Sequence, residues 1–273
     1  AELRAFAGIQ WRLLGQGPAE IRELPALTDT GKQAALHLLM TMTASAFFID
    51  RKLVSIIQMK IASITLDEGV GDYAGYAFAG YGMFLAVGLK FYRQAYRYGV
   101  LALDLVEKAK NPVVLPKVVF LVTSFIKPWV RPYSELNGEL EVGYEAALQS
   151  GDLGYAGYIA ANRVFLSILE GRNLHDTLRL IEGYSVLAKR SSVAALIGIL
   201  AVARRCCEAL SSSPKHDRFV ELSEEELFSG VDPKFAGNVQ PYGHLYRAMV
   251  LYHCGGEDQL AEVQRLSELL VRR

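Results

Sequence analysis

Residues 73–89, YAGYAFAGYGMFLAVGL, run without a single charged side chain and hold glycine at 75, 80, 82 and 88. The run reads as a helix that is apolar on every side and therefore buried, with glycines that let its neighbours come close. The tetrapeptide YAGY of 73–76 returns at 155–158, an offset of 82 residues. Both copies follow Gly-Asp, at 71–72 and 151–152, and the second has Leu153-Gly154 inserted before it. Glycine stops a helix and aspartate caps the next one, so each pair marks a boundary between helices.

Working outward, a second charge-free window lies at 33–49 (QAALHLLMTMTASAFFI), where only His37 can take up a proton. Mostly apolar windows also begin near Val113, Leu153, Val193 and Lys234, so that the starts recur about every forty residues. Between them lie amphipathic stretches such as RKLVSIIQMKIASITL (51–66). There Leu53, Ile56, Ile57, Ile61 and Ile64 make a helical stripe interrupted by Lys60. A buried helix alternating with a half-exposed one is the pattern of a helical-hairpin solenoid. The expected fold is all α, a tetratricopeptide-like right-handed superhelix without a sheet. Asn111-Pro112 and Asn173 are expected to open helices and Gly171 to close one.

Two places break the pattern. Lys127-Pro128-Trp129-Val130-Arg131-Pro132 should force a kink or a short connection. Residues 211–233 are polar, contain Pro214, and hold one short capped helix, Ser223-Glu224-Glu225-Glu226, ended by Gly230. These breaks divide the chain into an N-terminal helix and linker (1–28), a repeat solenoid (29–212), and a polar connection with a terminal hairpin (213–273). Residues 2–14 read as a helix, and a chain that opens inside a helix is expected to be an excised piece.

Composition narrows the function. Lysine plus arginine and aspartate plus glutamate balance at 29 each, which disfavours a nucleic-acid partner. The charge-free runs of about 17 residues are short for a bilayer, and no loop bias toward lysine and arginine accompanies them, so no membrane span is expected. Cys206, Cys207 and Cys254 form no disulfide framework and suit a reducing cytoplasm. No GxxxxGK[ST], HExxH or GxSxG motif occurs, and no two histidines stand four apart. Neither a metal, a cofactor nor a catalytic centre is expected.

Candidate site residues come from polar side chains inside apolar helices. His37, Asn162 and Arg163 are of this kind, and Arg163 must either pair or face a wet groove. Glu141 and Glu145 are its candidate partners. The aromatics Tyr76, Tyr81 and Tyr158, with Tyr73, Phe84 and Tyr155 beside them, are expected to pack between helices first and to contact a ligand second. Charge is also segregated. Lys90, Arg93, Arg97, Lys108, Lys110, Lys117, Lys127 and Arg131 fall in one stretch, followed by Glu135, Glu139, Glu141, Glu145 and Asp152. Solvated helix faces explain most such runs, and a docking surface of two signs explains the remainder.

The segments LDEGVGDYAGYAFAGYGMFL (66–85), YRYGVLALDLVEK (96–108), FIKPWVRPYSE (125–135) and GYEAALQSGDLGYAGYIAANRVF (143–165) resemble the helical region of very large bacterial and fungal signalling proteins. Those proteins run from a serine/threonine-kinase-like domain through a STAND-type ATPase into this region, then into GAF and sensor histidine-kinase modules. The likeness covers roughly residues 22–205 and rests on packing motifs. It implies a non-catalytic regulatory arm that binds a protein or peptide partner, including the ATPase and kinase domains of its own chain. The alternative it implies is a sensor that holds a small inducer inside the superhelix.

Overall fold

A computed structural model describes residues 2–14, 16–191, 194–211, 219–229, 231 and 236–271. Pro214, Gly230 and the expected window starts at Val193 and Lys234 lie outside the described residues. The helices are α1 (Glu2–Arg12), α2 (Pro18–Arg22), α3 (Thr30–Ile49), α4 (Arg51–Glu68), α5 (Ala74–Met83), α6 (Tyr92–Ala109) and α7 (Leu115–Leu121). They continue as α8 (Leu136–Gln149), α9 (Leu153–Leu169), α10 (Leu174–Ser191), α11 (Ala194–Ser211), α12 (Glu224–Leu227), α13 (Ala236–Cys254) and α14 (Leu260–Val271). No strand occurs among the described residues. One bridge, Ala26 with Val70, ties the segment after α2 to the end of α4. The fold is all α, a succession of helical hairpins of the kind that builds a solenoid.

The chain divides into two compact units, Ala1–Tyr155 and Ala156–Arg273. In the first, α3 packs on α4, α4 on α5, α5 on α6 and α7, and α7 on α8, while α1 lies against α4. Every residue of α5 from Ala74 to Gly82 is buried, which is why its sequence shows no polar face. Its partner α6 is amphipathic, and buries Ala95, Tyr98, Gly99, Leu101, Ala102, Leu105 and Val106. The two helices approach closely because Gly75 and Gly82 carry no side chain. A methyl group on Gly75 would stand 2.8 Å from the Ala102 carbonyl oxygen, and one on Gly82 would stand 3.1 Å from that of Ala95.

The two Gly-Asp boundaries work differently. Gly151 adopts a left-handed φ of 73° and closes α8, with Asp152 N–H donating to the Ala147 carbonyl at 2.8 Å. Asp152 then caps α9 by accepting from Tyr155 N–H at 3.1 Å. Asp72, by contrast, does not cap α5. The helix begins at Ala74, its N-cap is Tyr73 with no side-chain cap, and Asp72 accepts instead from the Asn111 amide at 3.4 Å. Asn111 likewise opens a turn rather than a helix: it caps Val113 N–H, and α7 starts only at Leu115. Asn173 does open α10, accepting from His175 N–H at 2.9 Å, and Gly171 ends α9 at a φ of 67°.

The kink expected at Lys127-Pro128 is a change of helix type. Here α7 widens into a π-helical turn, Val122–Ile126, and then tightens into a 3-10 turn, Lys127–Trp129. Proline has no N–H to continue the ladder, so the register shifts before it. A second π-helical turn, Phe84–Gly88, extends α5.

In the second unit α10 packs on α11, α11 on α13 and α13 on α14. Ser223 and Glu226 form the reciprocal cap expected at the start of α12. Two arginines hold this connecting segment. Arg205 donates to the carbonyls of Leu227, Glu226 and Ser229, and Arg247 donates to those of Leu222 and Val220 at 2.8 and 3.0 Å.

Tyr76 is among the largest fully buried side chains. Truncating such a ring costs about 3–5 kcal/mol. The Tyr76→Ala chain should therefore lose that much stability in denaturant unfolding. Gly75→Ala, which sets a methyl group against the Ala102 carbonyl, should cost roughly 1–3 kcal/mol. Unchanged unfolding midpoints would mean that α5 and α6 do not meet as described.

Candidate interaction surfaces

The residues named from the sequence fall in separate places. Tyr76 and Tyr81 lie wholly inside the core of the first unit, at 0% exposure, so packing is the role their position supports. The Tyr76 hydroxyl faces Thr43, Gln58 and Tyr155, and burial raises its pKa. The Tyr81 ring meets Tyr98 edge-on with centroids 4.8 Å apart, and its hydroxyl accepts from the Gln10 amide. His37 is exposed on α3 and exchanges a hydrogen bond with the Tyr73 hydroxyl at 2.8 Å.

Tyr158, Asn162 and Arg163 lie on α9 in the second unit. Tyr158 and Asn162, four residues apart, share one helical face and are half-buried. Arg163 is 9% exposed and donates to the Tyr184 hydroxyl of α10 at 2.7 Å. Glu141 and Glu145, its expected partners, belong to α8 of the first unit. Tyr184 was legible as an acceptor only once α9 and α10 were known to be neighbours.

The segregated charges meet each other inside the first unit. Lys117 pairs with Asp152 and lies 4.8 Å over the Tyr155 ring. Lys127 donates to both carboxylate oxygens of Glu139, at 2.6 and 2.5 Å, and Arg131 reaches Glu135 at 2.5 Å. Lys117 and Lys127 are both nearly buried, and a buried ammonium requires such a partner. Six of the thirteen segregated charges thus pair with one another within the first unit.

Among the described residues, two surfaces carry clustered exposed side chains that bear on binding. On α3, Leu38, Met42 and Ile49 are 61%, 54% and 78% exposed. Their spacing of four and seven sets them on one side of the helix. Leu36, Met40, Thr43 and Ala46, turned toward the core, are buried. The other surface lies where α5 ends and α6 begins. Lys90 takes a left-handed φ of 61°, and residues 90–94 line a shallow recess of about 450 Å³. Tyr92 stacks on Trp129 with centroids 4.7 Å apart and planes 15° from parallel. The indole N–H donates to the Phe125 carbonyl at 3.0 Å, which fixes the ring. Phe91 and Trp129 are each about half exposed, at 52% and 53%. The two π-helical turns, which precede Lys90 and Trp129 in the chain, touch one another, and such turns often accompany function.

Among the described residues, no group of three or more His, Cys, Asp or Glu side chains is placed to hold a metal ion. No described helix is long and apolar enough to cross a membrane.

No protein-family profile and no solved structure matches this chain. Among curated proteins, hybrid signal transduction histidine kinase G of Dictyostelium discoideum is similar, with 26% identity over 152 residues. The match covers 55% of this chain and 4% of that protein. The chain therefore spans a small fraction of the length of the curated relative it matches. The similarity is to a segment of a signalling protein.

The three cysteines should separate by environment. Burial pushes the Cys207 thiol up to about 11 and raises that of Cys206, whereas Cys254 is exposed. Only thiolate reacts, so at pH 8 the native chain should release one equivalent of thionitrobenzoate from Ellman's reagent, and three after denaturation. Rapid release of more than one equivalent from native protein would contradict the packing of α11. Separately, Tyr184→Phe should cost about 1 kcal/mol through the lost bond to Arg163, and equal stability of the two proteins would argue against that bond.

Proposed function

We propose that this chain is a non-catalytic interaction arm of a multidomain signalling protein of the STAND ATPase and kinase type. It docks a protein partner, including neighbouring domains of its own full-length chain. The observation that carries this reading is the uncovered side of α3. Burying one large aliphatic side chain contributes roughly 1.5–3 kcal/mol, so Leu38, Met42 and Ile49 together offer the apolar centre of an interface. The similarity to part of a signal transduction histidine kinase supports the setting. The buried places of Tyr76 and Tyr81 favour an outer docking face over a ligand held among those rings.

Site-specific photo-crosslinking tests the reading. A benzophenone amino acid in place of Met42, expressed in cells, should yield a discrete covalent adduct with a protein. The adduct should disappear when Leu38 and Ile49 are both changed to Glu, while the melting temperature of that double variant stays within about 2 °C, as for other solvent-facing positions. An absent adduct, or one that survives the double change, overturns the assignment. The purified chain should also show no magnesium-dependent hydrolysis of ATP and no phosphotransfer, because no P-loop or kinase motif holds phosphates here. Turnover that follows the chain through rigorous purification and is lost with it would make it an enzyme.

A further inference from the structure

The start of α6 carries cations that the rest of the first unit does not neutralise. Lys117, Lys127 and Arg131 each meet a carboxylate, and Arg97 lies near Glu20. Lys90 and Arg93 have no carboxylate within 4 Å among the described residues, and both are exposed. They flank Phe91 and Tyr92, and the four line one recess. Tyr92 in turn is stacked on Trp129, whose indole is held by the Phe125 carbonyl. A rigid aromatic platform bordered by two unpaired cations presents an apolar contact and a positive field at the same place.

We infer that this surface docks an extended acidic peptide segment, one in which carboxylates flank a large apolar side chain. The apolar side chain lies against Phe91 and the open face of Trp129, and the carboxylates reach Lys90 and Arg93. Aromatic residues with few rotamers and a neighbouring arginine are the residue types that anchor peptide interfaces. Complementary charge at the rim sets the rate and selectivity of capture. A nucleic-acid strand is the weaker fit. The chain is neutral overall, two cations neutralise few phosphates, and Tyr92 and Trp129 already stack on each other rather than leaving a gap for a base.

The inference rests on reading the chain as an interaction module, but it uses a surface that does not include Leu38, Met42 or Ile49. The probe is a fluorescein-labelled octapeptide with six acidic residues, one leucine and one phenylalanine. Its control replaces every carboxylate by an amide. Anisotropy with the full chain should show the acidic peptide binding, with affinity falling as salt rises from about 0.05 to 0.3 M. The amide control should bind roughly tenfold more weakly or worse. The double variant Lys90→Glu, Arg93→Glu should lose a similar factor with unchanged circular dichroism. Position 93 lies in the first turn of α6, where a carboxylate suits the helix dipole. In a Trp11→Phe background, the remaining tryptophan, Trp129, should change its emission when the peptide binds.

Equal binding of the two peptides, binding undiminished in the double variant, no binding of the acidic peptide, or tighter binding of single-stranded polyuridylate would each overturn the proposal. If any of these occurs while the α3 adduct persists, only this surface is misassigned. Failure of both experiments removes the interaction reading itself.

Discussion

The first unit is organised by how near α5 comes to α6. Gly75 and Gly82 face the carbonyls of Ala102 and Ala95, where a methyl group on either glycine would crowd the α6 backbone. Close approach of this kind lets every α5 residue from Ala74 to Gly82 be buried at once, because helices lie against it on several sides. The large rings then fill what the glycines leave. Phe78 stacks on Tyr98, Tyr81 meets the same ring edge-on, and the Tyr76 hydroxyl reaches toward Thr43 and Gln58 of the preceding hairpin. Small residues set the helix spacing and aromatics lock it. Neither would hold without the other, since a glycine-rich helix alone has little surface to bury and costs backbone entropy.

That constraint explains which features were legible in the sequence. A run such as 73–89, free of charge and set with glycine, has few other uses in a folded chain, so the buried helix and its partner could be read directly. The boundary at Gly151-Asp152 was legible because a left-handed glycine followed by a capping aspartate is a local device. The similar boundary at Gly71-Asp72 misled, because the Asp72 carboxylate accepts from Asn111, 39 residues away, instead of capping α5. The division after Tyr155 was not legible at all. It falls in the first turn of a regular helix, with no proline, glycine pair or polar run to announce it, and depends on which helices pack together.

The surfaces were less visible than the fold, and the reason is physical. Polar residues inside apolar windows drew attention to His37, Asn162 and Arg163, yet Arg163 is nearly buried and bonded to Tyr184, 21 residues away. Charge segregation suggested a docking face, and much of it proved to be Lys117, Lys127 and Arg131 meeting Asp152, Glu139 and Glu135. What stands out afterwards is the remainder. Lys90 and Arg93 are conspicuous because they flank exposed aromatic rings and meet no carboxylate among the described residues. The stacking of Tyr92 on Trp129 joins residues 37 positions apart. No pattern in a single sequence marks such a pair.

The distribution of chemistry between interior and surface bears on what such a chain can do. Inside the first unit, titratable groups are matched: Lys117 and Lys127 have their carboxylates, and burial moves the phenols of Tyr76 and Tyr81 away from ionisation. Inside the second, burial silences the thiols of Cys206 and Cys207 in the same way. Among the described residues, the exposed features on which the two proposals rest are an aliphatic stripe on α3 and a cationic aromatic ledge at α6. The docking role proposed above rests on those outer faces, because the side chains of the described interior are committed to packing.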